Sequence, residues 1–328
     1  MTSATSGSER VIDAHMHVWD ATWLPEGLRR AWARQGSGRR LPERCPNEVF
    51  GHVAVGQSDP DAALTIAAFD RAGVSAGLVP VVDWTIVGQP AGEHLPIAEL
   101  NARYEELSTT HEGRLYYCAG IDPRHPDARE LFTRVVEQPH CRGVKLYPAA
   151  GWDLRDPAHA WLFEELLERD LPAVVHTSPL GGDPLQVIRC RPAELAALSA
   201  LFPTLKVSYA HAGLDAWWQE ALDCATGWQH AYLELSLWQR LAFDDYDEFR
   251  RRVRRMRDQV GAHRLVFGSD IIRGPRHDPD GDELVRWITM VRDLAEPHGG
   301  QPAVLSREEL QLFLADNAVR LFDLKEHA

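Results

Sequence analysis

The stretch Val11-Ile12-Asp13-Ala14-His15-Met16-His17 decides the fold, because a short apolar run closes on two imidazoles. Three other runs end in the same manner: Ala173-Val174-Val175-His176, Lys206-Val207-Ser208-Tyr209-Ala210-His211 and Leu265-Val266-Phe267-Gly268-Ser269-Asp270. Apolar runs of this length with turn residues after them read as buried strands of a parallel sheet. Polar residues at the carboxyl ends of several such strands face one pocket, which in a (β/α)₈ barrel is where chemistry occurs.

Outward from these four runs, strand-like and helix-like segments alternate from about Val11 onward. Further strands are expected over Val74–Val82, Leu115–Ile121, Gly143–Tyr147 and Ala231–Leu235, which brings the total to eight. Helical patterns lie between them. Asp156 and Pro157 make a cap and first turn for a helix over Asp156–Arg169, and similar patterns cover Pro192–Leu201 and Asp245–Val260. Ser306-Arg307-Glu308-Glu309 is a capping box that opens a last helix through Phe313. In Asp245–Val260 the residues Phe249, Val253, Met256 and Val260 form one inner stripe, so the six arginines among Arg250–Arg257 read as a solvated face. Right-handed crossovers between eight strands imply a closed single-domain (β/α)₈ TIM barrel over 11–328. The long connections after the first and second strands, about 20–60 and 83–98, are lid or pocket-wall candidates.

Composition bounds the function. The net charge of −13 argues against nucleic acid and anionic membranes as partners, which leaves a small-molecule substrate. The five cysteines are an odd number without a C-x-x-C pair, as expected for free thiols in a reducing compartment. MTSATSGSER lacks the apolar core of a signal peptide and reads as an unstructured tail over 1–10, so a cytoplasmic protein is expected. Soluble enzymes commonly form homo-oligomers, but no segment here specifies one.

His15, His17, His176, His211 and Asp270 at matching strand ends are hard to explain as packing, since burying unpaired polar groups together costs several kcal/mol each. A divalent cation such as zinc removes that penalty. The remaining histidines, His94, His125, His159 and His277 among them, read as surface residues. Lys145, in Gly143-Val144-Lys145-Leu146-Tyr147-Pro148, is the open question. Aimed at a cation it must be neutral, carbamylated into an anionic bridge between two metals, or turned toward a carboxylate such as Asp270.

At these residues the chain resembles the amidohydrolase superfamily, in its amidohydrolase-related branch. The matching pieces are Ile12-Asp13-Ala14-His15-Met16-His17, Gly120-Ile121-Asp122-Pro123-Arg124, Gly143–Pro148, His176-Thr177, His211-Ala212-Gly213, Gly268-Ser269-Asp270 and Asn317–Phe322. The resemblance implies metal ligation by His15, His17, His176 and Asp270, with His211 a second-metal ligand or a catalytic imidazole. It also implies hydrolysis of a C–N or C–O acyl bond by metal-activated water, Asp270 shuttling the proton. Non-oxidative decarboxylation of an aromatic or related acid is the alternative, since the branch contains such enzymes; they generally lack a lysine like Lys145, so its presence leans toward hydrolysis. In decarboxylation Arg273 or Arg124 would hold the substrate. Trp84, Tyr147 and Arg273 follow strands two, four and eight and are expected to bind substrate.

Overall fold

Eight strands pair in parallel and in strict chain order: β1 (Ile12–Asp13), β2 (Ala76–Pro80), β3 (Leu115–Gly120), β4 (Cys141–Leu146), β5 (Ala173–His176), β6 (Val207–Ala210), β7 (Ala231–Glu234) and β8 (Leu265–Val266). The computed structural model describes residues 9–37, 42–87, 94–182 and 184–324. Each expected strand is present, and helices between the strands cover the sheet. The seam between the first and last strands closes through the backbone beyond their ends. Ala14 N donates to Phe267 O at 3.1 Å, Ser269 N to His15 O at 3.0 Å and His17 N to Ile271 O at 3.1 Å. The protein is a (β/α)₈ TIM barrel.

The interior is read from side chains that cluster across strands. Ile12, Ala14, Leu78, Cys118, Val174 and Val266 pack together inside, whereas Met16 packs with the outer cluster between strands and helices. Simple alternation through the first run does not produce this. Ile12 and Ala14 face in, the chain bends at His15, and the bend shifts the phase so that Met16 faces out. His15 and His17 thus owe their direction to that bend and not to strand pleating.

The helix caps behave as their residue types require. Asp156 accepts from Ala158 N at 2.9 Å, Asp245 from Glu248 N at 3.0 Å, and Ser306 with Glu309 forms the reciprocal box. The last helix does not stop at Phe313 but runs through a π turn at Leu312–Asp316 and on through Asn317–Phe322. The π turn breaks the 3.6-residue period, so the apolar pattern does not show the continuation. Ala318, Leu321 and Phe322 then cover the interior at the amino ends of the strands. The arginine-rich helix is not wholly solvated either, because Arg250 is buried and donates to Asp293 O, Glu296 O and Pro302 O.

The long connection after β1 holds two helices, Glu26–Ser37 and Pro46–Gly56, which bring Trp32 and Gln35 over the carboxyl ends of the strands. In the connection after β2, residues 88–93 lie outside the described residues. Residues 1–8 also lie outside them. Glu9 and Arg10, expected in the tail, are tied to the barrel by Arg292 at 2.8 Å and Gln311 at 3.4 Å. All five cysteines are free thiols. No helix among the described residues is long and apolar enough to cross a membrane.

Fully buried Asn317 donates to both Ala262 O and Leu265 O, at 2.8 and 2.7 Å, and so ties the last helix to the root of β8. Asn317→Leu removes two buried hydrogen bonds and takes the side-chain donor from Leu265 O, while Ala262 O keeps the Leu265 N–H; a buried carbonyl left unsatisfied costs about 1–3 kcal/mol. Urea unfolding is expected to show a loss of about 1–3 kcal/mol. A midpoint unchanged from the parent protein would show that these bonds do not hold the helix.

Candidate metal centre

The acid that organises the site was not singled out from the sequence. Glu234, the last residue of β7, is buried and accepts from Ser236 N at 2.5 Å, Ser236 Oγ at 3.0 Å and His211 N at 3.2 Å. Its Oε2 also lies 2.7 Å from His15 Nδ1. Burial pushes its carboxyl up to about 8, while the Ser236 and His211 hydrogen bonds pull the other way. A cation beside His15 would restore the charged form.

This carboxylate sets the tautomers around it. With Nδ1–H of His15 donating to Glu234, the Nε2 lone pair is free, and it has no hydrogen-bond partner although buried. Ser236 donates to Glu234 and therefore accepts from His211 Nδ1–H at 2.7 Å, which leaves His211 Nε2 as an acceptor. His176 Nδ1 lies 3.1 Å from that atom, and with that bond formed His176 Nε2 is a second buried nitrogen without a partner.

Asp270 completes the arrangement. Its Oδ1 is 3.0 Å from His17 Nε2 and 3.6 Å from His15 Nε2. Ligand atoms of His15, His17 and Asp270 all lie within 4.8 Å of one another. His176 is not in that trio and joins it through His211, whose ring is 4.8 Å from that of His176 and 4.7 Å from that of His15. Burial lowers the pKa of His15, His176 and His211 well below the usual imidazole range, so all three are neutral donors. Burial also raises the Asp270 carboxyl, but the His17 hydrogen bond, helped by the nearby Lys145 amine, outweighs it and leaves the group below its ordinary value. Orphaned imidazole nitrogens beside an ionised carboxylate are the donor set a divalent ion requires. A second grouping, His15, His211 and Glu234, shares the same space, but its carboxylate is already occupied by the hydrogen bonds above.

Lys145 is buried at the same end of the barrel, and burial pulls its amine down to about 8 against the opposing effect of Asp270 and Glu234. The position is compatible with a neutral amine or with an ammonium between two carboxylates. Tyr147 packs against His176 at 4.7 Å between ring centroids and lines a cavity of about 480 Å³ that also reaches Asp270. Trp84 sits one ring further back, 4.8 Å from Tyr147, and does not line that cavity. Arg273 does not face it either. Its side chain is fully buried and Nη2 pairs with Asp278 at 3.1 Å. Arg124 is held by Asp122 and by Ala150 O, away from the cavity. His277, expected on the surface, lines the cavity, and His159 is buried.

Asp13 is the other residue that sequence reasoning left out. It accepts from Ser269 N at 2.9 Å and from Ser269 Oγ at 2.7 Å, and so holds the turn that presents Asp270. Both missed acids satisfy the criterion that found the histidines: each is a charged residue in or closing an apolar run, Val11-Ile12-Asp13 and Tyr232-Leu233-Glu234-Leu235.

Gly268 is required by this packing. A Cβ there would collide with the Glu234 carboxylate and come within 2.9 Å of His15 Cβ. Gly268→Ala and Glu234→Gln are both expected to weaken zinc affinity about 10–100-fold, the usual cost of losing a group that orients a ligand. Titration against a fluorescent zinc chelator measures this, and wild-type affinity in both variants would remove Glu234 from its organising role.

The family model described as Amidohydrolase matches residues 12–324. A comparison with curated proteins finds no match. Among solved structures, a 5-carboxyvanillate decarboxylase from Novosphingobium aromaticivorans, complexed with manganese and 4-hydroxy-3-methoxy-5-nitrobenzoic acid, is 15% identical. It has a TM-score of 0.63 over 97% of each chain. A zinc-bound amidohydrolase from Burkholderia multivorans is 20% identical, with a TM-score of 0.60 over 96% of this chain and 99% of that one. A putative 2-pyrone-4,6-dicarboxylic acid hydrolase from Pseudomonas putida is 17% identical, with a TM-score of 0.56 over 97% and 98%. At such identities the structures show a shared fold, while the family model, which spans nearly the whole chain, shows descent. The chain belongs to the amidohydrolase family.

Proposed function

We propose that this protein is a metal-dependent hydrolase of a C–N or C–O acyl bond, in an amide, cyclic amide or lactone. The observation that carries the reading is the placement of Asp270: a carboxylate held below its ordinary pKa, beside two imidazoles of the ligand trio, on the wall of the large cavity. A divalent ion held by His15, His17 and Asp270, with His176 Nε2 as the further unpartnered donor, would supply Lewis acidity toward a carbonyl and toward water. Zinc fits this mixed imidazole and carboxylate set.

The residues have distinct tasks. Ionised Asp270 accepts a proton from the attacking water and returns it to the leaving group. His211, with Nδ1–H fixed by Ser236, keeps its Nε2 as an acceptor and orients His176. Tyr147, Trp19 and Trp32 line the cavity together, exclude water and offer aromatic surface to substrate. One ion per chain is favoured, because Glu234, the only carboxylate in the second grouping, is already committed to hydrogen bonds. Two ions per chain by elemental analysis would instead revive a carbamylated Lys145.

Decarboxylation is the second reading, and the cavity's own arginines favour it. Arg44 and Arg240 both line the cavity and could hold an acid. The two reactions separate by assay: zinc- and manganese-loaded protein is offered lactones and amides, with release of acid as readout, and aromatic acids, with release of CO₂ as readout.

Removal of metal with a chelator is expected to abolish turnover, and zinc to restore it. Asp270→Asn is expected to lower kcat by about 10²–10⁴ in preparations matched for metal content. Near wild-type kcat in that variant would exclude Asp270 as the proton carrier.

A further inference from the structure

A second and narrower groove of about 160 Å³ runs alongside the main cavity. Leu180, Leu237 and Arg240 line both spaces, so the two share one wall. The rest of the groove is largely apolar, with Pro179, Leu214, Trp238 and Leu241. Leu180 stands 38% exposed on the shared ridge, one of the few large apolar side chains that the described surface leaves open.

Two features mark this groove as more than a packing gap. Leu214 and Leu237 both sit in left-handed backbone, at φ 45° and φ 64°. Leucine rarely adopts such angles, which cost about 1–3 kcal/mol each and persist only where the surroundings over-determine them. The surroundings here are those of the metal centre. Trp238 Nε1 donates to His211 O at 2.9 Å, Gln239 Nε2 donates to Ser269 O at 2.7 Å, and Leu214 follows the left-handed turn that begins at His211. The backbone that positions the ligands therefore also presents two leucines to the groove.

The second feature is charge. Arg240 makes no ion pair and no side-chain hydrogen bond among the described residues, in a chain whose net charge is −13. The acid that lines the groove, Asp215, pairs with Arg252 at 2.6 Å. The free charge at the boundary of the two spaces is positive.

We propose that the groove is a second substrate subsite, which receives the apolar distal part of an acidic substrate while Arg240 pairs with an anionic group at the boundary. The inference rests on the large cavity being the substrate site, but not on which bond is cut there. The substrate is then an elongated amphipathic acid: its reacting carbon lies toward Asp270, its anion against Arg240, and a hydrocarbon or aryl extension over Leu180 and Leu237.

Calorimetric titration tests this without turnover, with biphenyl-4-carboxylate, benzoate and biphenyl-4-carboxamide as probes. Each titration is run with and without added zinc, so that a chain taking up no metal, which would sink the proposed hydrolase, still reports on the groove. The longer acid is expected to bind at least about tenfold more tightly than benzoate, the effect of burying one more ring. Ala216→Trp, at an exposed position that lines the groove, should erase that difference and leave benzoate unchanged. Arg240→Gln should weaken both acids by about fivefold and leave the amide unaffected. Equal affinity of the two acids, indifference to Ala216→Trp, or no binding of either acid would overturn the proposal. So would concentration-dependent self-association that Ala216→Trp abolishes, since a second copy of the chain would then be the occupant.

Discussion

One buried carboxylate holds the working end of this barrel together. Glu234 draws donors from three strand ends: Ser236 just past β7, the His211 backbone past β6, and the His15 ring past β1. Burying a carboxylate is costly unless nearly every lone pair is satisfied, so these donors cannot leave without a large penalty. Their common acceptor therefore fixes the His15 ring directly, and through Ser236 it fixes the His211 ring and with it the direction of His176. Gly268 contributes by having no side chain, because the space it leaves is filled by the Glu234 carboxylate.

Backbone strain is concentrated in the same region. His211, Leu214, Leu237 and Asp270 all have positive φ, and each lies just past the carboxyl end of a strand. Strands that end abruptly and turn over the barrel mouth direct their side chains inward more sharply than regular pleating would. The side-chain bonds from Trp238 and Gln239 hold these turns from outside. Stability and site geometry are therefore coupled at this face: the turns are unfavourable in isolation, and the polar network that stabilises them is also what orients the candidate ligands. At the opposite end, the last helix closes the barrel floor with ordinary apolar packing.

Much of this was legible because each strand is short, apolar and closed by a polar residue. All eight strands were found, and five polar residues that the structure brings to one end of the barrel were read from run endings alone. The same signal was present at Asp13 and Glu234, but a lone acid in or after an apolar run reads equally well as a turn or cap residue. Arg273 and Trp84 followed strands as pocket residues do, yet one is neutralised by Asp278 and the other is screened by Tyr147. Their positions depend on loop contacts for which no periodicity exists. His277 reached the cavity for the same reason, by a path outside any regular element.

The amino-acid sequence by itself determined the barrel, its family and a set of polar strand-end residues as candidate metal ligands, because hydrophobic periodicity and residue type are local properties of the chain. Only the tertiary structure decided which nitrogens of His15 and His176 stay free, why His15 and His17 face inward after a bend, and which arginines reach the cavity without an acid partner among the described residues. Those outcomes depend on hydrogen bonds and ion pairs between residues far apart in sequence, such as Glu234 with His15 and Arg252 with Asp215. Tautomer, pKa and charge compensation are set by distance and burial, and both exist only once the chain has closed on itself.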